Sequence, residues 1–327
     1  MTDKPNLMAL VDASAYSESL CHYAAWIAGQ NAWKVKLYHI LGRRSGHDRG
    51  DYSGAIRLGA RSRLLAELSQ IDEARAKLAQ EQGRAVLEDA AALISAEGVE
   101  VETRLRQGDL VDTVADKEQA AEMIMIGKRG EAASHAMAHL GSNLERILRS
   151  AHRPVFIANR SFAPISKLLI AFDGGASATK AVDYVATLPA FSKRAVTLVF
   201  AGTPSAEQIT ALEAAKNRLT AAGMGADILI EAGEPEHLLA RLCDSDSSTG
   251  AAHDLLVMGG AYGHSRVRQL MIGSTTTQMI QSCKAPVLVM RYHSPHMGVR
   301  ERNKTRRARD SSSKAVKRCR IRLKGPR

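Results

Sequence analysis

The sequence is poor in most of the residues that announce a chemistry. Aromatic side chains make up 4% of it, too few to build a stacking platform for single-stranded nucleic acid. Its four cysteines, Cys21, Cys243, Cys283 and Cys319, stand far apart with no C-x-x-C pair. That spacing argues against a zinc site or a disulfide framework and fits a reducing, cytoplasmic compartment. No apolar run approaches the roughly 18 residues a membrane span needs, and the opening MTDKPNLMALVDAS lacks the basic and apolar regions of a secretion signal. No lysine occupies a G-K-[ST] position, no paired acids stand at a metal-binding spacing, and no nucleophile is written beside a base. These gaps favour binding without programmed chemistry.

Charge imbalance is also missing from most of the chain. The net +11 comes from residues 293–327, where 13 Lys and Arg face only Glu301 and Asp310. This basic tail has almost no apolar periodicity and no aromatic residue, so disorder is expected. Lysine and arginine clusters attract phosphates without reading sequence, so a salt-sensitive nucleic-acid contact through the tail is one reading. An appended end without a role is the other.

What the sequence does have is a repeat. LMALVDAS (7–14) matches LLIAFDGG (168–175), and VKLYHILG (35–42) matches VTLVFAGT (196–203). RLRQGD (104–109) resembles LIEAGE (229–234), EMIMIGKRG (122–130) matches DLLVMGGAYG, and RPVFIA (153–158) matches APVLVM (285–290). The chain is one domain written twice, with boundaries at 1–160 and 165–292 before the tail. The first copy carries about 36 extra residues within an insertion at 43–100, a Gly-rich loop followed by an alanine- and leucine-rich region of one helix or two.

Within each copy, short runs that are apolar nearly throughout alternate with helical patterns such as Leu20, Tyr23, Ala24 and Ile27. The expected class is α/β: two repeats of a doubly wound, mostly parallel five-stranded sheet with helices on both faces. In such sheets ligands bind beyond the carboxyl ends of the strands. In the second copy Asp173 stands at the end of the first strand. Gly260 and Gly263, then Gly273, Ser274 and Thr275, follow the fourth strand and lead into the last helix. Glycines admit close approach of the backbone, and a helix start offers unpaired N–H groups, so phosphate is the expected guest.

On these residues both copies resemble universal stress protein domains, and the chain to about residue 292 resembles a tandem member of that family, with its adenine-nucleotide alpha-hydrolase-like fold. ATP-binding members share G-x-x-G, nine residues and G-[ST], with an aspartate ending the first strand. The second copy fits each position. The resemblance implies ATP or a related adenine nucleotide, with or without Mg, held by Gly260, Gly263, Gly273, Ser274 and Thr275 at the phosphates, Asp173 at the adenosine and Ala201 beside adenine. It also implies an internal pseudo-dimer of the two domains, with PVFIA and PVLVM as candidate contacts; a further homodimer stays open, and no membrane partner is expected. Gly263-His264 falls short of the H-x-G-H pattern of nucleotide-transferring relatives, although a weak hydrolase using His264 is the rival reading.

The first copy offers Asp12, Ile40, Gly127, Gly130, Gly141 and Ser142 as a degenerate second site. Ten residues, rather than nine, separate Gly130 from Gly141, and Ser142 to Glu145 reads as a capping box that sets a carboxylate where phosphate should sit. Nucleotide is therefore expected mainly in the second copy, with Lys128 and Arg129 able to offset Glu145 in the first. Plainer readings stand beside these. Asp12 and Asp173 could be helix N-caps, the glycines could be turn residues, His264, Arg266 and Arg268 could be a solvated face, and the pair His135 and His139 lacks a third metal ligand. Met258, Met271 and Met279 read as core.

Overall fold

The computed structural model describes residues 4–42, 58–130, 141–244, 252–259 and 274–290. The basic tail, the His135/His139 pair, Met271 and the loop carrying Gly260, Gly263, His264, Arg266, Arg268 and Gly273 lie outside them.

The first half runs β1 (Asn6–Leu10), α1 (Ser17–Asn31), β2 (Lys34–Leu41), α2 (Leu58–Ala96), β3 (Val101–Gln107), α3 (Leu110–Lys117), β4 (Met123–Gly127), α4 (Ser142–Ser150) and β5 (Val155–Ala158). The second runs β6 (Lys167–Ala171), α5 (Ala176–Thr187), β7 (Ala195–Ala201), α6 (Ala206–Ala221), β8 (Gly225–Glu231), α7 (Pro235–Leu242), β9 (Leu255–Gly259), α8 (Ser274–Ser282) and β10 (Val287–Met290). Each half orders its strands 3-2-1-4-5, and the two are fused into one ten-stranded sheet, β3-β2-β1-β4-β5-β10-β9-β6-β7-β8. All neighbours are parallel except β5 and β10, which pair antiparallel with Phe156 opposite Leu288. The expected contact between PVFIA and PVLVM is thus a continuous hydrogen-bonded ladder, which merges the two expected sheets into one.

Alternation in the strands feeds two cores. Leu7, Ala9, Met123, Met125, Phe156, Leu255, Val257 and Leu288 point to one face, where α1, α2, α5 and α6 cover them. Met8, Leu10, Ile124, Val155, Ile157, Leu256, Met258, Val287 and Val289 point to the other, under α3, α4, α7 and α8. Because both faces are covered there, the strands at the middle of the sheet, β1, β4, β5, β6, β9 and β10, are apolar nearly throughout, which explains the unbroken runs in the sequence. Met258 and Met279 are both core. The α1 stripe of Leu20, Tyr23, Ala24 and Ile27 is buried, and Ala32 closes that helix in a left-handed conformation at φ 53°.

The halves also meet away from the strands. Trp26 of α1 stacks near Phe191 at 6.3 Å between centroids, Arg194 lies 5.7 Å over the Trp26 ring, and the Ala190 N–H donates to the Asn31 side chain. The insertion adds no separate body. Fifty-nine residues separate β2 from β3 where 23 separate β7 from β8, and the surplus goes into a longer connection and into α2, a single helix of 39 residues. Leu87, Ala90 and Ile94 anchor its second half in the core. At Gly83 an added Cβ would stand 2.8 Å from the Leu105 side chain and 2.9 Å from the His39 ring, so this glycine sets how closely α2 approaches the sheet.

Phe156 is fully buried on β5 at the seam, packed 5.2 Å from the Tyr23 ring. Phe156→Ala is expected to cost about 3–5 kcal/mol of stability, read by equilibrium urea unfolding. A loss under about 1 kcal/mol would show the seam to be loosely packed.

Candidate functional site

Strand order reverses between β1 and β4, and there the strand ends part to leave a cavity of about 870 Å³. Its floor is the carboxyl ends of β1 and β2: Leu10, Val11, Asp12, and Tyr38 to Gly42. One side is Gly108, Asp109 and Leu110 between β3 and α3; the other is Ile126, Gly127, Arg129 and Gly130 after β4, with Gly141 to Leu144 at the start of α4. Ala79 and Gln82 of α2 complete the wall, so the inserted helix does border this site. Asp12, Ile40, Gly127, Gly130, Gly141 and Ser142, scattered along the first copy, are all brought together here.

Each is placed by local chemistry. Asp12 does not cap α1, whose N-cap is Tyr16 without a side-chain bond. Its Oδ1 instead accepts from the Ser14 N–H at 3.0 Å and the Ser17 hydroxyl at 3.1 Å, which fixes the carboxylate in the turn after β1. Its Oδ2 faces Gly130, where a Cβ would stand 3.0 Å away. Gly127 is required for a different reason: a Cβ there would meet the Tyr16 Cβ at 2.7 Å. The buried His39 is set by the Val11 carbonyl 3.0 Å from its Nδ1. Because a carbonyl only accepts, Nδ1 carries the proton.

Two objections to this half read from sequence are overturned. Ser142 and Glu145 form no capping box. The N-cap is Gly141 without a side-chain bond, Ser142 is the first helical residue, and Glu145 turns outward to pair with Arg149 one turn on. The i,i+4 ion pair outcompetes the reciprocal cap, so among the described residues no side chain caps the first turn of α4 at the cavity and the carboxylate is drawn away from it. Nor is a residue added. From β4 to α4, and from β9 to α8, 14 residues intervene in each half. Gly127 corresponds to Gly259, Gly141 to Gly273 and Ser142 to Ser274; only the inner glycine is shifted by one. Matching glycine to glycine concealed that equality, which hydrogen-bonding register reveals.

In the second half, Asp173 is likewise no N-cap, since α5 starts from Gly175 without a side-chain cap. Its Oδ1 accepts from the Gly175 N–H at 2.8 Å, and its carbonyl accepts from Gln208 Nε2 at 3.1 Å. Ala201 ends β7 as Ile40 nearly ends β2, and Ser274 and Thr275 open α8. Gly259 repeats the role of Gly127: a Cβ would fall 2.4 Å from the Ser177 Oγ. These described residues sit at the same topological point as the first cavity.

Sequence reasoning missed Tyr38, Ala79, Gln82 and Asp109. Asp109 ends the RLRQGD repeat, and that repeat is the signal that marks it. Gln82 has no such signal, because only long-range packing brings α2 over the site. Asp109 caps α3 by accepting from Val111 and Asp112 N–H, and its Oδ2 meets Arg146 at 2.9 Å. Its slight burial favours the neutral acid, but the Asp112 N–H, the Arg146 guanidinium and the Val111 N–H hold the charged form, and the net shift is downward.

Residues 5–159 and 164–291 each match the profile of the universal stress protein family. The chain belongs to the universal stress protein family. Universal stress protein Slr1230 of Synechocystis sp. is 32% identical over 291 residues, covering 88% of this chain and 99% of that protein. The crystal structure of a universal stress protein from Archaeoglobus fulgidus is similar at a TM-score of 0.60 with 19% identity, covering 88% of this chain and 98% of that one. A universal stress protein solved in complex with cAMP is 26% identical across 39% of this chain and 98% of its own, at a TM-score of 0.32. Within the tandem architecture the two family domains form an internal pseudo-dimer through β5 and β10, and no described helix is long and apolar enough to cross a membrane.

A carboxyl held below its unfolded value stabilises the fold above that value and stops doing so as pH falls through the folded one. Asp109→Asn is therefore expected to lower the melting temperature at neutral pH. The gap to wild type should close below about pH 4, near the ordinary aspartate value. A gap that stays constant down to pH 2 would show that the charged form is not what stabilises.

Proposed function

We propose that this universal stress protein binds an adenine nucleotide, ATP or a close relative, as part of a cytoplasmic stress response, and that the first-half cavity is one seat for it. The observation that carries this reading is the cavity itself. It gathers six residues matching the second copy's nucleotide motif at a strand-order reversal, and its volume lies within the roughly 300–1,000 Å³ of small-molecule sites. The apolar ends of β2, with Ile40 and Leu41, suit the flat adenine. Asp12, fixed by Ser14 and Ser17, suits a ribose hydroxyl. Gly130, Gly141 and the start of α4 suit the phosphates, where unpaired N–H groups and the helix dipole attract an anion. Arg129 adds a cation to the lining. Mg enters only as the counter-ion the nucleotide brings.

The second half is proposed as a second seat, on Asp173, Ala201, Gly260, Gly263, Gly273, Ser274 and Thr275, because the strand-to-helix span there equals that of the first. Occupancy of both halves, rather than mainly of the second, is part of the proposal. The role proposed is binding, with the message carried by loop position.

Isothermal titration of the full chain with ATP tests the reading. Gly130→Val, which would wedge a side chain against Asp12, is expected to weaken first-half binding at least tenfold; Gly273→Val should act on the second half alone. Circular dichroism melting controls for folding. Absence of copurifying nucleotide by mass spectrometry, together with absence of binding heat in the wild type, would overturn the proposal. ATP consumption that falls in step with binding in Gly130→Val would instead favour the hydrolase.

A further inference from the structure

Helices α7 and α8 end side by side, and each ends on a cysteine. Cys243 closes α7, its N–H reaching back to Leu239 and Ala240. Cys283 follows α8, its N–H donating to the Met279 carbonyl at 2.9 Å. Forty residues apart in sequence, the two side chains are 3% and 1% exposed and belong to the same buried core cluster. The next residues clamp the same junction, with Lys284 Nζ 3.0 Å from Asp244 Oδ1. From the other half, Lys128 leaves the end of β4 and donates its Nζ to the Cys283 carbonyl at 2.9 Å. A half-buried ammonium thus sits on the backbone of one of two neighbouring cysteines.

The arrangement makes the sulfurs unequal. The neighbouring Cys283 thiol and burial push the Cys243 pKa up. Cys283 is held below the ordinary thiol range by the neighbouring Cys243 thiol, with further help from the Ala285 N–H and the Lys128 charge against the opposing effect of burial. Burial in turn lowers the pKa of Lys128.

We propose that Cys243 and Cys283 form a two-electron oxidation site for small hydroperoxides, with Cys283 as the attacking sulfur and Cys243 as the resolving one. The Cys283 thiolate attacks one peroxide oxygen and the O–O bond breaks. Cys283 is oxidised to sulfenic acid while the peroxide is reduced to hydroxide, which takes up the proton Cys283 had released. The Cys243 sulfur then attacks the Cys283 sulfur, its own proton leaves with the sulfenic hydroxyl as water, and the disulfide closes. One hydrogen peroxide and two thiols give one disulfide and two waters; an alkyl hydroperoxide gives its alcohol in place of the first water. A buried pair admits a neutral oxidant of water-like size far more readily than a bulky disulfide such as oxidised glutathione. A dithiol resting state also fits a reducing compartment.

The test is peptide mapping of the full chain after treatment with hydrogen peroxide and alkylation of remaining thiols. The expected product links the Cys243 and Cys283 peptides, while Cys21, buried and pushed up to about 12, stays alkylatable. Oxidised glutathione should form the link at least tenfold more slowly than peroxide. Cys243→Ser should leave Cys283 as a sulfenic acid that a dimedone probe captures. Lys128→Met should slow closure at least tenfold at neutral pH and move its pH–rate midpoint upward, and Lys128→Arg should restore both. Failure of the wild-type protein to form the Cys243–Cys283 link under peroxide, with both thiols still alkylated, overturns the proposal whatever the variants do. A Lys128→Met rate and midpoint equal to wild type would overturn the role of Cys283 as a lysine-activated attacker.

Discussion

The antiparallel ladder between β5 and β10 is the interaction on which the rest depends. Each half, alone, is a five-stranded parallel sheet with two covered faces; the ladder turns two such sheets into one. It joins at the strand where both halves are most apolar, Val155 to Ala158 against Val287 to Met290, all buried. Hydrogen bonding and burial act there in the same place, so the halves form one folding unit rather than domains on a linker. The surrounding contacts, Tyr23 against Phe156 and Trp26 against Phe191, reinforce the same junction from the helix layer.

Antiparallel pairing also decides where ligands can sit. Strands of the first half run opposite to those of the second, so their carboxyl ends open on opposite rims of the sheet. The first cavity shares its rim with the amino ends of β9 and β10. That is why Lys128, one residue beyond β4, meets Cys283, four residues before β10.

Much of this was legible in the sequence. Strand runs, their repetition and the alternation with helices all follow from burial on two faces, and buried strands have to be apolar. The six first-half positions Asp12, Ile40, Gly127, Gly130, Gly141 and Ser142 were legible because the repeat carried them. Their condition was not. Whether Ser142 caps its helix depends on whether Glu145 prefers the backbone or Arg149, a contest between local options of similar size that composition leaves undecided. Loop register is not set by glycine spacing; pairing along β4 and β9 fixes which glycine ends a strand, Gly127 opposite Ala158 and Gly259 opposite Met290. Gln82 and the Cys243–Cys283 pair depend on contacts across 40 residues or more, and no local pattern encodes those.

The fusion of two halves through β5 and β10 has a cost that the intact chain conceals. Elsewhere both strands would be edges: short, apolar, uncharged, and with a full row of unpaired N–H and C=O groups. Cutting the chain between residues 159 and 164 and separating the products would expose one such edge on each. Apart from the proline that leads each, Pro154 and Pro286, neither strand carries the charge that ordinarily guards an edge, and the simplest complement to each is a copy of itself. Covalent continuity therefore acts as a chaperone of pairing, holding β5 at high local concentration beside β10 so that unlike halves meet before like ones do.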